Sequence, residues 1–137
     1  FDPGTMTGAK GTLPGADTGD DFKQRLQDEY GELTSFAYAG ESYDATILVA
    51  LAAIAAGDDS GQSIGSQMEA VSGGGTACTT FAECVELLDA GEDIDYNGVS
   101  GNIEFDSAGD PTTASVGIYE YAEDNTYSAL EFIEGNI

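Results

Sequence analysis

What this chain lacks settles several questions before any motif is read. It contains no histidine and only two cysteines, Cys78 and Cys84. Without an imidazole or a third sulfur, a zinc site is nearly excluded. The basic residues are Lys10, Lys23 and Arg25 alone, against 26 acidic ones, for a net charge of −23. Nucleic-acid binding draws its affinity from Lys and Arg on phosphates, so no nucleic-acid partner is expected. Docking on an anionic membrane surface is disfavoured for the same reason. The longest apolar run, Ala45 to Ala56, is broken by Thr46 and is too short to cross a bilayer, so no span is expected. The sequence begins at Phe1 with neither Met nor a signal peptide, which reads as a mature protein or an excised piece.

Leu, Ile, Val and Phe together number 27 of 137 residues. That is close to the one-fifth level below which a charged chain is suspected of disorder, so the core is expected to be thin. Acidity on this scale with almost no lysine suits a salt-adapted protein, where screening relieves self-repulsion, or an acidic secreted one. Cys78 and Cys84 can close a short disulfide if the backbone turns between them, implying an oxidising compartment. The alternative is two small buried thiols. Catalysis is not expected: histidine is absent and no serine stands in a G-x-S-x-G elbow. Paired carboxylates such as Asp58 and Asp59 fall in a turn. No cofactor is expected.

Apolar spacing organises the rest. Phe1 to Gly15 has no period and reads as an irregular connector, with a short strand near Ala9 to Leu13. Phe22, Leu26 and Tyr30 recur at helical spacing from Thr18 onward. A second helix, capped by Ser42 or Asp44 and closed by Gly57, is apolar nearly all round, which is the pattern of a helix buried in a larger body. A third runs from Gln62 to Val71. A fourth opens at Thr80 with Glu83 three residues on, a capping box. Beyond Gly91 the period shortens: Val99, Gly101, Ile103 and Phe105 alternate as in a strand. Further strands at Val116 to Tyr121 and Tyr127 to Ile133 complete an antiparallel meander. Helices followed by strands read as α+β, or as the end of a larger α/β fold.

The stretch from Gly91 to Asp110 carries two incompatible readings. Asp93, Asp95, Asn97, Gly98 and Glu104 match the calcium-loop pattern D-x-[DN]-x-[DN]-G-x5-E, which would make the chain an extracellular calcium-binding module. A helix precedes the loop, but Asp106 to Pro111 cannot continue one after it, and no second copy of the motif exists.

The same letters, Asp95-Tyr96-x-Gly98-x-Ser100-Gly101-x-Ile103-x-Phe105-Asp106-x-x-Gly109-Asp110, resemble the C-terminal signature of the solute-binding proteins of branched-chain amino acid ABC transporters. The likeness extends in order from Gly11-Thr12-x-Pro14-Gly15 through Phe22 and Tyr30 to Ala37-Tyr38-Ala39 and Tyr43-Asp44-Ala45. It continues through Phe81-Ala82-Glu83-Cys84-Val85 to Ile118-Tyr119-Glu120-Tyr121. The resemblance implies an α/β fold, the C-terminal segment of a two-lobed type I periplasmic-binding-protein architecture of about four helices and a β meander. It divides the chain into a crossing segment (1–16), the helical part of one lobe (17–91) and C-terminal strands with a return crossing (92–137). It further implies a receptor for a small amino acid or amide, lipid-anchored outside the cytoplasm and partnered by permease subunits, or a sensor domain of the same fold. Tyr38, Ser42 and Tyr43, just before the second helix, would then stand near the ligand. As a fragment, the chain is also expected to self-associate through an exposed face of that helix.

Overall fold

A computed structural model describes all 137 residues. The elements run β1 (Lys10–Pro14), α1 (Gly19–Tyr30), α2 (Ala39–Ala56), α3 (Gly61–Val71), β2 (Thr76–Cys78), α4 (Phe81–Asp89), β3 (Ile94–Gly98), β4 (Gly101–Asn102), β5 (Thr113–Tyr121) and β6 (Tyr127–Asn136). Two small sheets result, in the orders β2-β3-β4 and β1-β5-β6.

The helices form where local chemistry directs them. Ser60 caps α3 by accepting from the Ser63 N–H, and Thr80 caps α4 by accepting from the Glu83 N–H. The Glu83 carboxylate reaches back one residue further than a capping box requires, to the Thr79 N–H and hydroxyl. Two expectations about α2 are corrected. It begins at Ala39, ahead of Ser42 and Asp44, because Tyr38 turns left-handed and the Ala39 N–H closes on the Phe36 carbonyl. At 18 residues α2 is also long and apolar enough, by length and composition, to cross a membrane. The interrupted sequence run concealed that length. Its inner face carries the core residues Leu48, Leu51 and Ala52 and a buried carboxylate bonded within the protein. That is the arrangement of a core helix. Val49 and Ile54 on other faces are 46% and 39% exposed, so the helix is not enclosed on all sides.

The strand expected over Val99 to Phe105 is displaced. The strand is β3, starting at Ile94, because it pairs in parallel with β2 across α4, a βαβ connection. Chain direction then reverses at Val99–Ser100 into the two-residue β4. Leu48, Leu51, Ala52, Val71, Ile94 and Tyr96 pack with Cys78 and Cys84 in one core. Those cysteines are joined in a disulfide between the end of β2 and the first turn of α4, with Cα atoms 5.4 Å apart. They are therefore both bonded and buried.

In the second sheet, β5 lies between β1 and β6, antiparallel to both, with a bulge between Ile118 and Tyr119. None of these three strands packs broadly on a helix, so the sheet and the helical body meet mainly through their connections. The chain crosses between the two bodies at Pro14 to Thr18 and again between Asn102 and Thr113. Its accessible surface is 8392 Å², against about 6,700 Å² for a self-contained monomer of this mass. The thin core anticipated from composition is seen as this excess of exposed surface.

Candidate functional site

Two clefts flank the crossings between the bodies. The larger, of about 560 Å³, lies between the Pro14–Thr18 crossing, the approach to α2 and the β5–β6 hairpin. The smaller, of about 330 Å³, lies on the other side and reaches Leu48, Ser100 and Phe105. Tyr38 and Glu41 border both. Volumes of a few hundred cubic ångströms suit a small organic ligand.

Tyr38 sits at φ 60°, ψ 11°, a left-handed conformation that costs an L-residue on the order of 1 kcal/mol. Its ring is half exposed to the clefts. Two residues further on, Gly40 is required by close approach, since a Cβ there would collide with the Thr18 methyl. The Glu41 Oε1 accepts a hydrogen bond from the Ala16 N–H at 2.8 Å, fastening the first crossing to the first turn of α2. Oε2 of Glu41 has no hydrogen-bond partner, and no cation pairs with this carboxylate.

Asp44, one turn into α2, is fully buried and anchors the second crossing. Its Oδ1 accepts from the Tyr96 hydroxyl at 2.7 Å and the Val99 N–H at 3.1 Å. Its Oδ2 accepts from the Ser100 N–H at 2.7 Å and the Ser100 hydroxyl at 2.6 Å. A Cβ at Gly98 would collide with this carboxylate, so the turn admits only glycine there. Burial, reinforced by the bond to Asp44, pushes the Tyr96 phenol well above its ordinary pKa. The sequence presented Asp44 as a possible helix cap; the signal for its actual role was the Tyr96-x-Gly98-x-Ser100 spacing, 52 to 56 residues away.

Of the residues expected near a ligand, Tyr38 borders the clefts, while Ser42 and Tyr43 border neither. Ser42 is exposed, and its carbonyl accepts from the Thr46 hydroxyl. Tyr43 stacks edge-on against Phe22 at 5.4 Å, with the Arg25 guanidinium over both rings. Helical geometry turns these two side chains away from the face that Tyr38 and Glu41 present. Glu41 was not anticipated.

The calcium pattern does not form a cage. Asp95 and Asn97 lie in β3, drawn straight by pairing with β2, and the Asn97 amide donates to the Asp95 carbonyl. The Glu104 side chain lies over Gly73, and Phe105 bridges to Pro111 where a second helix would be required. One Asp95 oxygen, Oδ1, is enclosed without a partner, but no three acidic side chains converge to hold a metal ion.

Charge in the larger cleft is uneven. Lys23 meets Asp17 at 3.1 Å, and the Gly19 N–H, followed by Lys23, holds the Asp17 carboxyl below its usual pKa. Those two lining charges cancel, leaving Glu41 as the net negative group. Phe36, Tyr119, Tyr127 and Phe132 supply aromatic walls, with Tyr119 edge-on to Tyr127 at 5.4 Å and to Phe132 at 6.2 Å.

Comparison with known proteins agrees with this architecture. A stretch of 79 residues is 37% identical to the chemotactic signal transduction system substrate-binding protein BasB of Halobacterium salinarum. It covers 56% of this chain and 19% of BasB, so the match spans about a fifth of that relative's length. No solved structure matches the chain. Residues 17–124 match the model of the receptor family ligand binding region, which takes in the end of the first crossing, the α2 wall, the helical body and the whole of the second crossing. The chain belongs to this receptor ligand-binding family, and its four helices and two small sheets are a segment of the type I periplasmic-binding fold.

Proposed function

We propose that this chain forms part of an extracytoplasmic solute-binding receptor, supplying one wall and two interlobe crossings of its ligand site. The observation that carries the reading is the position of Tyr38 and Glu41 at the start of α2. Both side chains border the clefts at the joint between two bodies that are otherwise loosely packed together. On this reading residues 17–91 belong to one lobe, and 1–16 and 92–137 bring the crossings and the returning strands. Closure of the lobes around ligand is the signal passed to a membrane partner. The ligand is a branched-chain or related small amino acid or amide, and the partner is the permease of an ABC importer. The receptor binds without transforming its ligand, and the complete protein is held at the outer face of the membrane by a lipid anchor. The Cys78–Cys84 disulfide supports an oxidising location.

Titration calorimetry of the complete receptor against a panel of branched-chain amino acids tests this. Saturable binding that weakens in Tyr38→Ala, with the melting temperature retained, is the expected result. No binding across the panel rejects the ligand class. A second reading is favoured by the name of BasB, a chemotactic substrate-binding protein. The same capture would then serve a membrane signal transducer. Loss of attractant response with uptake intact, on deleting the receptor gene, selects it over the importer.

A further inference from the structure

From the larger cleft we infer its ligand chemistry: an organic ammonium group, with Glu41 as the residue that specifies it. This rests on the reading above that the cleft takes a ligand, and it deepens that reading. Three observations carry it. Glu41 is the one carboxylate in the cleft without a cationic partner, because Asp17 is already paired with Lys23. Only Oε1 of Glu41 is engaged, by the Ala16 N–H, so the carboxylate is held in place with Oε2 free to accept from a ligand. Aromatic side chains line the same cleft: Tyr38 on the α2 side, Tyr119 and Phe132 on the hairpin side. An ammonium between a carboxylate and ring faces gains both a charge-assisted hydrogen bond and cation–π attraction.

The surroundings disfavour the alternatives. An anionic ligand would face Glu41 within a chain of net charge −23. A purely apolar ligand would strip solvent from the Glu41 carboxylate and return nothing for it. No arginine lines the cleft to receive a ligand carboxylate, so any such group must be bound from the opposite lobe.

The test uses the complete receptor at one fixed high salt concentration, with L-leucine, 4-methylpentanoate, 3-methylbutylamine and 3-methylbutan-1-ol as calorimetric probes. Each pair differs in the ammonium alone or nearly so. The amine-bearing member should bind about tenfold to a hundredfold more tightly than its partner. Glu41→Gln keeps an oxygen for the Ala16 N–H, so its melting temperature should stay near that of the parent while the discrimination disappears. Glu41→Gln that still discriminates overturns the inference, as does equal binding within both pairs or no binding of either amine-bearing probe. If 3-methylbutylamine discriminates through Glu41 and L-leucine does not bind, the ammonium assignment stands and the amino-acid reading falls. If L-leucine binds equally well to parent and Glu41→Gln, the amino-acid reading stands and this inference falls.

Discussion

The Tyr96 hydroxyl donates to Asp44 Oδ1 at 2.7 Å in an interior closed to solvent, joining β3 to the second turn of the helix that borders the candidate ligand site. Each residue depends on the other. The buried carboxylate is satisfied by the four donors around it, and the phenol is paired although fully enclosed.

Removing Asp44 should therefore be costly. Asp44→Ala strands the Tyr96 hydroxyl and the Val99 and Ser100 N–H groups, an expected loss of about 3–5 kcal/mol in urea denaturation. Asp44→Asn is milder yet still destabilising, because its amide would face the Ser100 N–H, donor against donor. Tyr96→Phe removes one donor and should cost about 1–2 kcal/mol. A double variant combining Tyr96→Phe with Asp44→Asn should fall short of the sum of the single effects, since the two residues share a bond.

The same pair sets a pH dependence. The folded-state pKa of Tyr96 is raised above its unfolded value of about 10 by burial and by the bond to Asp44. A raised pKa means that the folded protein holds the phenolic proton more tightly. That contribution is complete below pH 10 and is lost as pH rises beyond it, while the unfolded chain ionises first. Unfolding free energy should decline with a steeper slope above about pH 10 in the parent than in Tyr96→Phe. Equal slopes would mean that Tyr96 ionises as freely in the folded protein as in the unfolded chain.

How much of this was legible beforehand depends on the distance over which each signal acts. Helices α1, α3 and α4 were legible because their apolar spacing and the Thr80 cap are local. The β2–α4–β3 unit was not: Thr76–Cys78 is three residues following a glycine run, too short to show alternation, and its partner lies across a helix. Asp44 was misleading for a similar reason. An acidic residue beside an apolar helical pattern resembles a cap, and only the fold brings residues 96–100 to it. Tyr38 was reached through family resemblance. Glu41, one carboxylate among 26 acidic residues, had no pattern to mark it; its significance comes from the crossing it fastens and the cleft it borders.

Salt should stabilise this protein. All three basic side chains are engaged internally: Lys10 with Glu120 at 3.7 Å, Lys23 with Asp17, and Arg25 over Phe22 and Tyr43. Nearly all the acidic residues are thus left without a cationic partner. Screening shortens from about 10 Å at 0.1 M to about 3 Å at 1 M salt, which relieves their mutual repulsion. The urea midpoint should rise steadily with NaCl over that range, and rise less in a variant with several exposed carboxylates changed to amides. A midpoint indifferent to salt would show that charge repulsion is not limiting.

Tyr38 places conformational cost at the position where ligand contact is proposed. Its left-handed backbone is one that glycine adopts without steric penalty. Tyr38→Gly should therefore be neutral or raise stability by up to about 1 kcal/mol, even though it removes a large side chain. The ring is half exposed and contributes little to the core, so little packing is lost in exchange. Ligand affinity in the complete receptor should fall in the same variant, because the aromatic wall on the α2 side is gone. Stability rising as affinity falls is the result expected if Tyr38 is retained for binding. A marked loss of stability would identify the ring as a structural element of the joint between the two bodies, and the affinity change would then say nothing of ligand contact.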